Sequence, residues 1–289
     1  MIISSCSVLT KTQLEMVENL SFRSDSVANA PKILFEGLSE IRLERGLYYA
    51  SSLSSPQARA QELGALADGV VEDRKIAEKS QLYVSVLNSY LRALKSASSQ
   101  SRWSDVGVEL RSIGRNIDSL LIRYNKLGLD EEIPTGFAKH AGKTFGLIGE
   151  EVMKVKQTNF VKDFVLCGDS LVAESCDALV EILKGKQMTQ LIDNEIAGLE
   201  SNYYAYLMRQ EQTGNLPSIQ EDRHFIELTH KGSELKGLRN KCVSALRSLK
   251  NTHHKLYEEF SGEEKVNVAP QILEFYNLSE ELCRMINNL

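Results

Sequence analysis

Two Glu-x-x-His elements, Glu221/His224 and Glu227/His230, carry residue types that readily bind a transition metal. On a helix, the carboxylate and the imidazole of each element lie one turn apart, where both could reach one ion. The two histidines are six residues apart, which turns them about 120° from each other around the helix axis. The sequence therefore predicts exposed polar side chains here, with a metal-binding helical bundle as a remote alternative.

These elements are similar to the Glu-x-x-His elements of carboxylate-bridged di-metal bundles. In that family each element lies on a different helix, and two further glutamates project inward. Here both elements fall on one predicted helix, so the resemblance implies at most one part of such a site. His253 and His254 are adjacent in sequence and point apart on a helix, so they do not form the i, i+4 pair that binds a metal.

Other candidate catalytic motifs in the sequence do not match the patterns that their chemistry requires. Gly136–Thr144 resembles a phosphate-binding P-loop, but five residues separate its glycines where the motif needs four. A P-loop also follows a strand, whereas Asp130–Pro134 is acidic and not strand-like. The sequence contains no Gly-x-Ser-x-Gly elbow. We therefore expect no enzymatic activity and no cofactor.

Near the start, Ile3-Ser4-Ser5-Cys6 places an aliphatic residue and two small residues directly before a cysteine. This stretch resembles the lipobox of bacterial lipoproteins, in which the cysteine carries the lipid. The resemblance implies lipidation of Cys6, a membrane anchor and a location in the cell envelope. Met1-Ile2 supplies no basic and apolar signal region, so this expectation requires an upstream segment. A cytoplasmic protein with an ordinary cysteine at this position is the alternative.

The remaining cysteines, Cys167, Cys176, Cys242 and Cys283, are widely spaced and include no Cys-x-x-Cys pair. Four cysteines could form two disulfides in three pairings. Cys167 and Cys176 would lie about 13.5 Å apart along one helix, which is too far for a direct bridge. Free thiols that pack as small apolar side chains are the favoured interpretation.

The composition is typical of a globular protein, with 42% hydrophobic and 25% charged residues in 289 residues. The formal net charge of -5 argues against a nucleic-acid partner, because phosphate contacts need a basic surface. No run in the sequence approaches the roughly 18 consecutive apolar residues of a membrane-spanning helix.

Apolar residues that recur every third or fourth position predict long helices. The clearest seam runs from Trp103 to Leu127, and Ser55-Pro56 reads as a helix cap followed by a proline in the first turn. Further seams are predicted over 33–52, 56–94, 135–155, 160–183, 188–209, 225–256 and 272–285. No segment shows a convincing alternation of period two. The sequence thus predicts an all-α fold, an elongated antiparallel bundle of long heptad-patterned helices.

The sequence predicts that the chain is divided into an N-terminal segment and two helical sub-bundles. Residues from Ser7 to Ala30 are polar and fairly featureless, and we expect a tether or loose segment over 1–30. Residues 31–128 and 135–289 would form two helical sub-bundles, separated by the loop at Gly128–Pro134. Gly168 and Gly185 are expected at bends or breaks, and Thr213–Ser218 at a turn.

Tyrosines cluster at two places, Tyr48-Tyr49 and Tyr203-Tyr204 with Tyr206, and a proline follows each cluster. The similar order suggests a faint internal duplication, or simply two similar helix-turn-helix units. Packing is the expected role of these rings, and a recognition surface is the functional alternative.

The function predicted from these observations is a non-enzymatic helical lipoprotein of the cell envelope that acts as a protein-interaction or structural module. It would be anchored through Cys6 and would present its bundle to a protein partner. The alternative is a cytoplasmic helical adaptor or oligomerising protein. The remote alternative is metal binding through Glu221, His224, Glu227 and His230.

Overall fold

The computed structural model describes residues 10–22, 24–99, 115, 116, 119, 122, 157–262 and 267–289. Seven long helices account for nearly all of these residues, and no strand occurs among them. The helices are α1 (Lys11–Phe22), α2 (Ser24–Ser52), α3 (Pro56–Ser98), α4 (Gln157–Lys184), α5 (Lys186–Thr213), α6 (Ile219–Ser261) and α7 (Ala269–Asn288). The all-α prediction is confirmed. The predicted seams over 103–127 and 135–155 lie outside the described residues.

Local signals in the sequence set several helix ends. The hydroxyl of Ser55 accepts a hydrogen bond from the amide of Ala58 at 3.3 Å and caps α3, as predicted. Ser218 caps α6 in a reciprocal capping box with Glu221. Gly214 and Gly262 end α5 and α6 at φ angles of 73° and 79°, which glycine adopts without strain.

Within the segment 1–30 that was expected to be loose, residues 11–22 form α1 and residues 24–30 form the first turns of α2. Leu14, Val17 and Leu20 are spaced three apart and are all buried, since α1 packs against α3 and α7. Pro31 lies inside α2 and not at its start. Burial of these apolar side chains against the core stabilises the stretch as helix.

Four helices form the centre of the fold. α2, α3, α4 and α6 make a closed ring in which each helix packs against the next. α5 packs mainly on α2, α7 on α6, and α1 on α3. Helices from both sides of the expected boundary therefore share one hydrophobic core. The boundary itself, near residues 128–135, lies outside the described residues.

Contacts between helices define their directions. Asp169 of α4 contacts His253 of α6 at 3.0 Å, and Asp193 of α5 contacts Lys236 of α6 at 2.8 Å. Further along α4, Asp177 contacts Lys250, and further along α5, Tyr206 contacts Glu221, so residue numbers rise along α4 and α5 as they fall along α6. α4 and α5 therefore both run antiparallel to α6. The two are separated only by Gly185, whose extended backbone (φ -51°, ψ 145°) produces the predicted break.

The predicted apolar seams are buried to different extents. In α6, Leu228, Leu235, Leu249 and Leu256 are all buried, as the spacing predicts. The seam of α3 is buried only in part. Its C-terminal half carries the fully buried Val84, Leu87, Leu91 and Leu94, whereas Leu63 near its start is 41% exposed.

Gly168 does not bend α4 but makes room for a ring. A Cβ at this position would overlap Cε2, Cζ and the hydroxyl oxygen of Tyr90, which extends from α3 into the core. Tyr90 is fully buried and stacks on Phe164 of α4 with ring centroids 4.9 Å apart. The absence of a side chain at residue 168 is therefore what lets the Tyr90 ring fit between α3 and α4.

A matched pair of glycine substitutions tests this packing. Gly168→Ala should lower the free energy of unfolding by about 1–3 kcal/mol, because the core is overpacked. Gly64→Ala is the control, since no heavy atom lies within 4 Å of the added Cβ. It should raise stability by about 0.5–1 kcal/mol through helix propensity. Urea unfolding measures both changes, and a Gly168→Ala variant as stable as the wild type would contradict the packing account.

Candidate functional site

The residues of the two Glu-x-x-His elements do not converge. The hydroxyl of Tyr206 donates to Glu221, and Nε2 of His224 lies 3.4 Å from Oε2 of Glu44 on α2. Glu227 and His230 are exposed. Within the described part of the chain, no group of three or more His, Cys, Asp or Glu side chains is arranged to hold a metal ion.

The two tyrosine clusters meet where α2, α5 and α6 come together. The ring of Tyr48 contacts Tyr203 and Tyr206, with centroids 4.9 Å and 5.6 Å apart, and Phe225 stacks on Tyr203 at 4.2 Å. Tyr48, Tyr203 and Tyr206 are buried, as the packing interpretation predicts. Because residues 48, 203 and 225 touch, the turn after α2 and the turn after α5 lie at the same end of the bundle.

Carboxylates accept hydrogen bonds from two of these phenols. Tyr203 donates to Asp222, and Tyr206 donates to Glu221. Burial and the neighbouring carboxylate raise the pKa of Tyr206 to about 12. The hydrogen bond from Tyr206, followed by the backbone hydrogen bond at Ser218, holds the pKa of Glu221 below its usual value. The phenols therefore stay protonated, and they pack without acting as bases near neutral pH.

Large apolar side chains are exposed around this same end. Their exposure ranges from 37% at Leu47 to 93% at Leu216. We call this set the apolar end surface; it comprises Leu43, Leu47, Tyr49, Leu63, Tyr204, Met208, Leu216, Ile219 and Ile226. No single spacing in the sequence predicts this surface, because its residues come from four helices and one turn.

A buried carboxylate ties α5 to α2 beside the tyrosines. Glu195 is 3% exposed and lies 3.0 Å from Nε of Arg42 and 3.0 Å from Nε of Arg45. The Arg42 contact is an aligned hydrogen bond, whereas the Arg45 contact is an ion pair without that alignment. Asn202 also donates to the backbone oxygen of Arg45 at 3.0 Å. The spacing of residues in the sequence does not indicate this cluster, because its partners are far apart in the chain.

A second polar cluster lies deep in the four-helix ring. The hydroxyl of Tyr90 is 2.6 Å from Nε2 of His253, and Nδ1 of His253 is 3.0 Å from Oδ1 of Asp169. Nδ1 of His254 is 2.8 Å from the other carboxylate oxygen. Adjacent on α6, the two histidines thus share one partner although they point apart. His253 is fully buried, and the side chain of His254 is 52% exposed.

The electrostatics of this cluster favour one proton arrangement. Burial raises the pKa of Tyr90 well above its usual value, and the charge of Asp169 adds to this. Burial alone would raise the pKa of Asp169, but hydrogen bonds from His253 and His254 outweigh it and lower that pKa. Because the Asp169 carboxylate only accepts, Nδ1 of His253 carries a proton. In neutral His253, Nε2 is therefore the acceptor for the Tyr90 hydroxyl.

The four described cysteines are free thiols. Cys176 and Cys242 are buried, and burial raises the pKa of Cys242 to about 12. They pack as apolar side chains, in agreement with the favoured interpretation. Cys6, the predicted lipidation site, lies outside the described residues.

Comparisons with protein-family models, with curated proteins and with solved structures found no match to this chain. Among the described helices, none has both the length and the apolar character needed to cross a membrane. Two residue groups are the candidate functional sites of this chain: the apolar end surface and the buried cluster around Asp169.

The pH dependence of stability tests the ionised state of Asp169. A lowered folded pKa means that the carboxylate stabilises the fold above its ordinary value of 3.8 and loses this effect as pH falls through the folded value. Asp169→Asn should lower the free energy of unfolding by about 1–3 kcal/mol near neutral pH. The difference between variant and wild type should shrink as the solution becomes more acidic than about pH 4.

Asp177→Asn is the matched control, because Asp177 lies on the same helix in an exposed ion pair with Lys250. Its effect should stay below about 1 kcal/mol. Urea unfolding at a series of pH values measures both variants. An Asp169→Asn difference that stays constant across the acid range would contradict the assigned charge.

Proposed function

We propose that this chain is a non-enzymatic helical lipoprotein of the cell envelope that binds a protein partner through the apolar end surface. The observation that carries this proposal is the concentration of exposed apolar side chains at one end of the bundle. Single exposed apolar residues are common on proteins, whereas a concentration of them is typical of an interaction surface.

The spacing within the apolar end surface supports a helical partner. Leu43 and Leu47 are four apart on α2, and Tyr204 and Met208 are four apart on α5, so each pair extends along one face of its helix. At this end Tyr48 of α2 packs against Tyr203 and Tyr206 of α5, and these two rows remain partly exposed. Such rows fit the apolar face of a partner helix, in which residues recur at i, i+4 and i+7.

The position of α1 supports an anchor at the opposite end. Gln13 of α1 donates to Glu259 near the C-terminal end of α6 at 3.0 Å. Asp222, which binds Tyr203, lies near the N-terminal end of α6. These two points are about 55 Å apart along a straight helix. A lipid on Cys6, only a few residues before α1, would then leave the apolar end surface directed away from the membrane.

Site-specific photo-crosslinking in cells tests the interaction. A benzophenone amino acid placed at Tyr204 should yield a cross-link to one protein of a different mass, because Tyr204 is 65% exposed on the apolar end surface. The same probe at Leu273 of α7, which is 61% exposed elsewhere, is the control and should give no such product. The double variant Leu43→Ser and Leu47→Ser should reduce the cross-link at residue 204 by about tenfold or more.

Two other results would count against the proposed partner. Equal cross-linking at residues 204 and 273 would mean that the apolar end surface has no special role. A product consisting of two copies of this chain would make the occupant a second copy and favour the oligomerising alternative.

Mass spectrometry of the protein from its native cells tests the anchor. The expected N-terminal peptide begins at a lipid-modified Cys6, and a Cys6→Ser variant should move from the detergent phase to the aqueous phase. A control variant, Cys283→Ser, should partition like the wild type. An unmodified Met1 on protein from the soluble fraction would contradict the anchor and leave the cytoplasmic adaptor, without deciding the interaction test.

A further inference from the structure

The buried cluster around Asp169 is unusual for its surroundings. Tyr90 and His253 are both 0% exposed and lie in a core formed mostly of leucine and valine. A buried polar cluster of this kind adds desolvation cost that an apolar core would avoid. Its members form one continuous line of hydrogen bonds, from a buried phenol to a half-exposed imidazole.

We propose that Tyr90 is a redox-active tyrosine, whose one-electron oxidation is coupled to transfer of its phenolic proton to Nε2 of His253. The oxidant is an outer-sphere one-electron acceptor at the protein surface, such as a high-potential metal complex. The proposal is independent of the partner-binding function, because it concerns groups in the core and not the apolar end surface.

The step balances in atoms and charge. One electron leaves the Tyr90 ring and reduces the oxidant. The O–H bond of Tyr90 breaks, and the proton forms an N–H bond at Nε2 of His253. The products are a neutral phenoxyl radical, an imidazolium and the reduced acceptor. Reduction of the radical returns the proton from His253 to Tyr90.

Geometry favours this direct proton transfer. The hydroxyl of Tyr90 is 2.6 Å from Nε2 of His253 but 3.5 Å from the backbone oxygen of Phe164, so the imidazole is its main partner. Tyr90 also does not ionise beforehand, because burial keeps its pKa far above neutrality. Loss of the proton before the electron is therefore excluded, and the phenolic proton passes to His253 as the ring is oxidised.

Asp169 stabilises the product of the transfer. A buried imidazolium without a counter-charge is costly, whereas here its Nδ1–H already donates to Oδ1 of Asp169 at 3.0 Å. The lowered pKa of Asp169 disfavours passing the proton further, so it stays on His253 and the step is reversible. Asp169 acts through His253 and is a positioning residue.

Packing protects the radical from solvent and quenchers. Phe164 stacks on the Tyr90 ring at 4.9 Å, and Phe160 stacks on Phe164 at 5.7 Å. Gly168, one turn after Phe164 on α4, allows this helix to approach the ring closely. By contrast, the buried Tyr203 donates to the carboxylate of Asp222, which is exposed. We therefore expect the radical of Tyr90 to outlive that of Tyr203.

Flash photolysis of the full-length protein with photogenerated tris(bipyridine)ruthenium(III) tests the proposal. Transient absorption and electron paramagnetic resonance should detect a long-lived tyrosyl radical in the wild type. Tyr90→Phe should lose the long-lived component, and His253→Gln should slow its formation by about 100-fold, because glutamine hydrogen-bonds but does not accept the proton. Tyr203→Phe is the control and should keep the signal.

A measurement on the wild type alone keeps the proposal testable if a core variant fails to fold. After exchange into D2O, electron–nuclear double resonance should detect one deuteron hydrogen-bonded to the phenoxyl oxygen. Formation of the radical should also be slower in D2O than in H2O. A radical without that deuteron, or a long-lived radical that persists in folded Tyr90→Phe, would overturn the proposal.

Discussion

Burial of several long apolar seams in one shared core is the constraint on which the rest of this structure depends. A helix with one apolar face is stable in water only when that face is covered, because most helical stability in proteins comes from packing. Leu34, Leu91, Leu171 and Leu249 come from α2, α3, α4 and α6, and all are essentially fully buried in one cluster. The closed ring of these four helices buries all four apolar seams at once, and the other helices pack on its outer side.

The buried polar groups in this core favour one arrangement of the helices, although their removal from water costs free energy. Glu195 is held by Arg42 and Arg45, and the Tyr90 hydroxyl is held by His253. Each contact joins two different helices, so each favours one register of those helices over a shifted one. A shifted register would separate the partners and leave a buried polar group without a hydrogen bond, which costs free energy. An apolar core alone would distinguish less strongly between such registers.

Sequence patterns predicted the helices well and their assembly poorly. The cap at Ser55 located the start of α3, because this signal acts within a few residues. Residues 1–30 were expected to be loose, because spacing does not show that α1 packs against distant helices. The approach of Tyr48 to Tyr203 and the clamp on Glu195 also depend on tertiary neighbours. The candidate site was therefore visible from the sequence only as separate tyrosine clusters, and the buried position of His253 was not foreseen.

Differential scanning calorimetry of the wild type and two core variants tests the single shared core most directly. Leu20→Ala in α1 and Leu249→Ala in α6 each remove a fully buried side chain, and each should cost about 2–5 kcal/mol. The account predicts one cooperative transition whose calorimetric and van't Hoff enthalpies agree and which both variants shift as a whole. Two separate transitions, each shifted by only one of the variants, would contradict it.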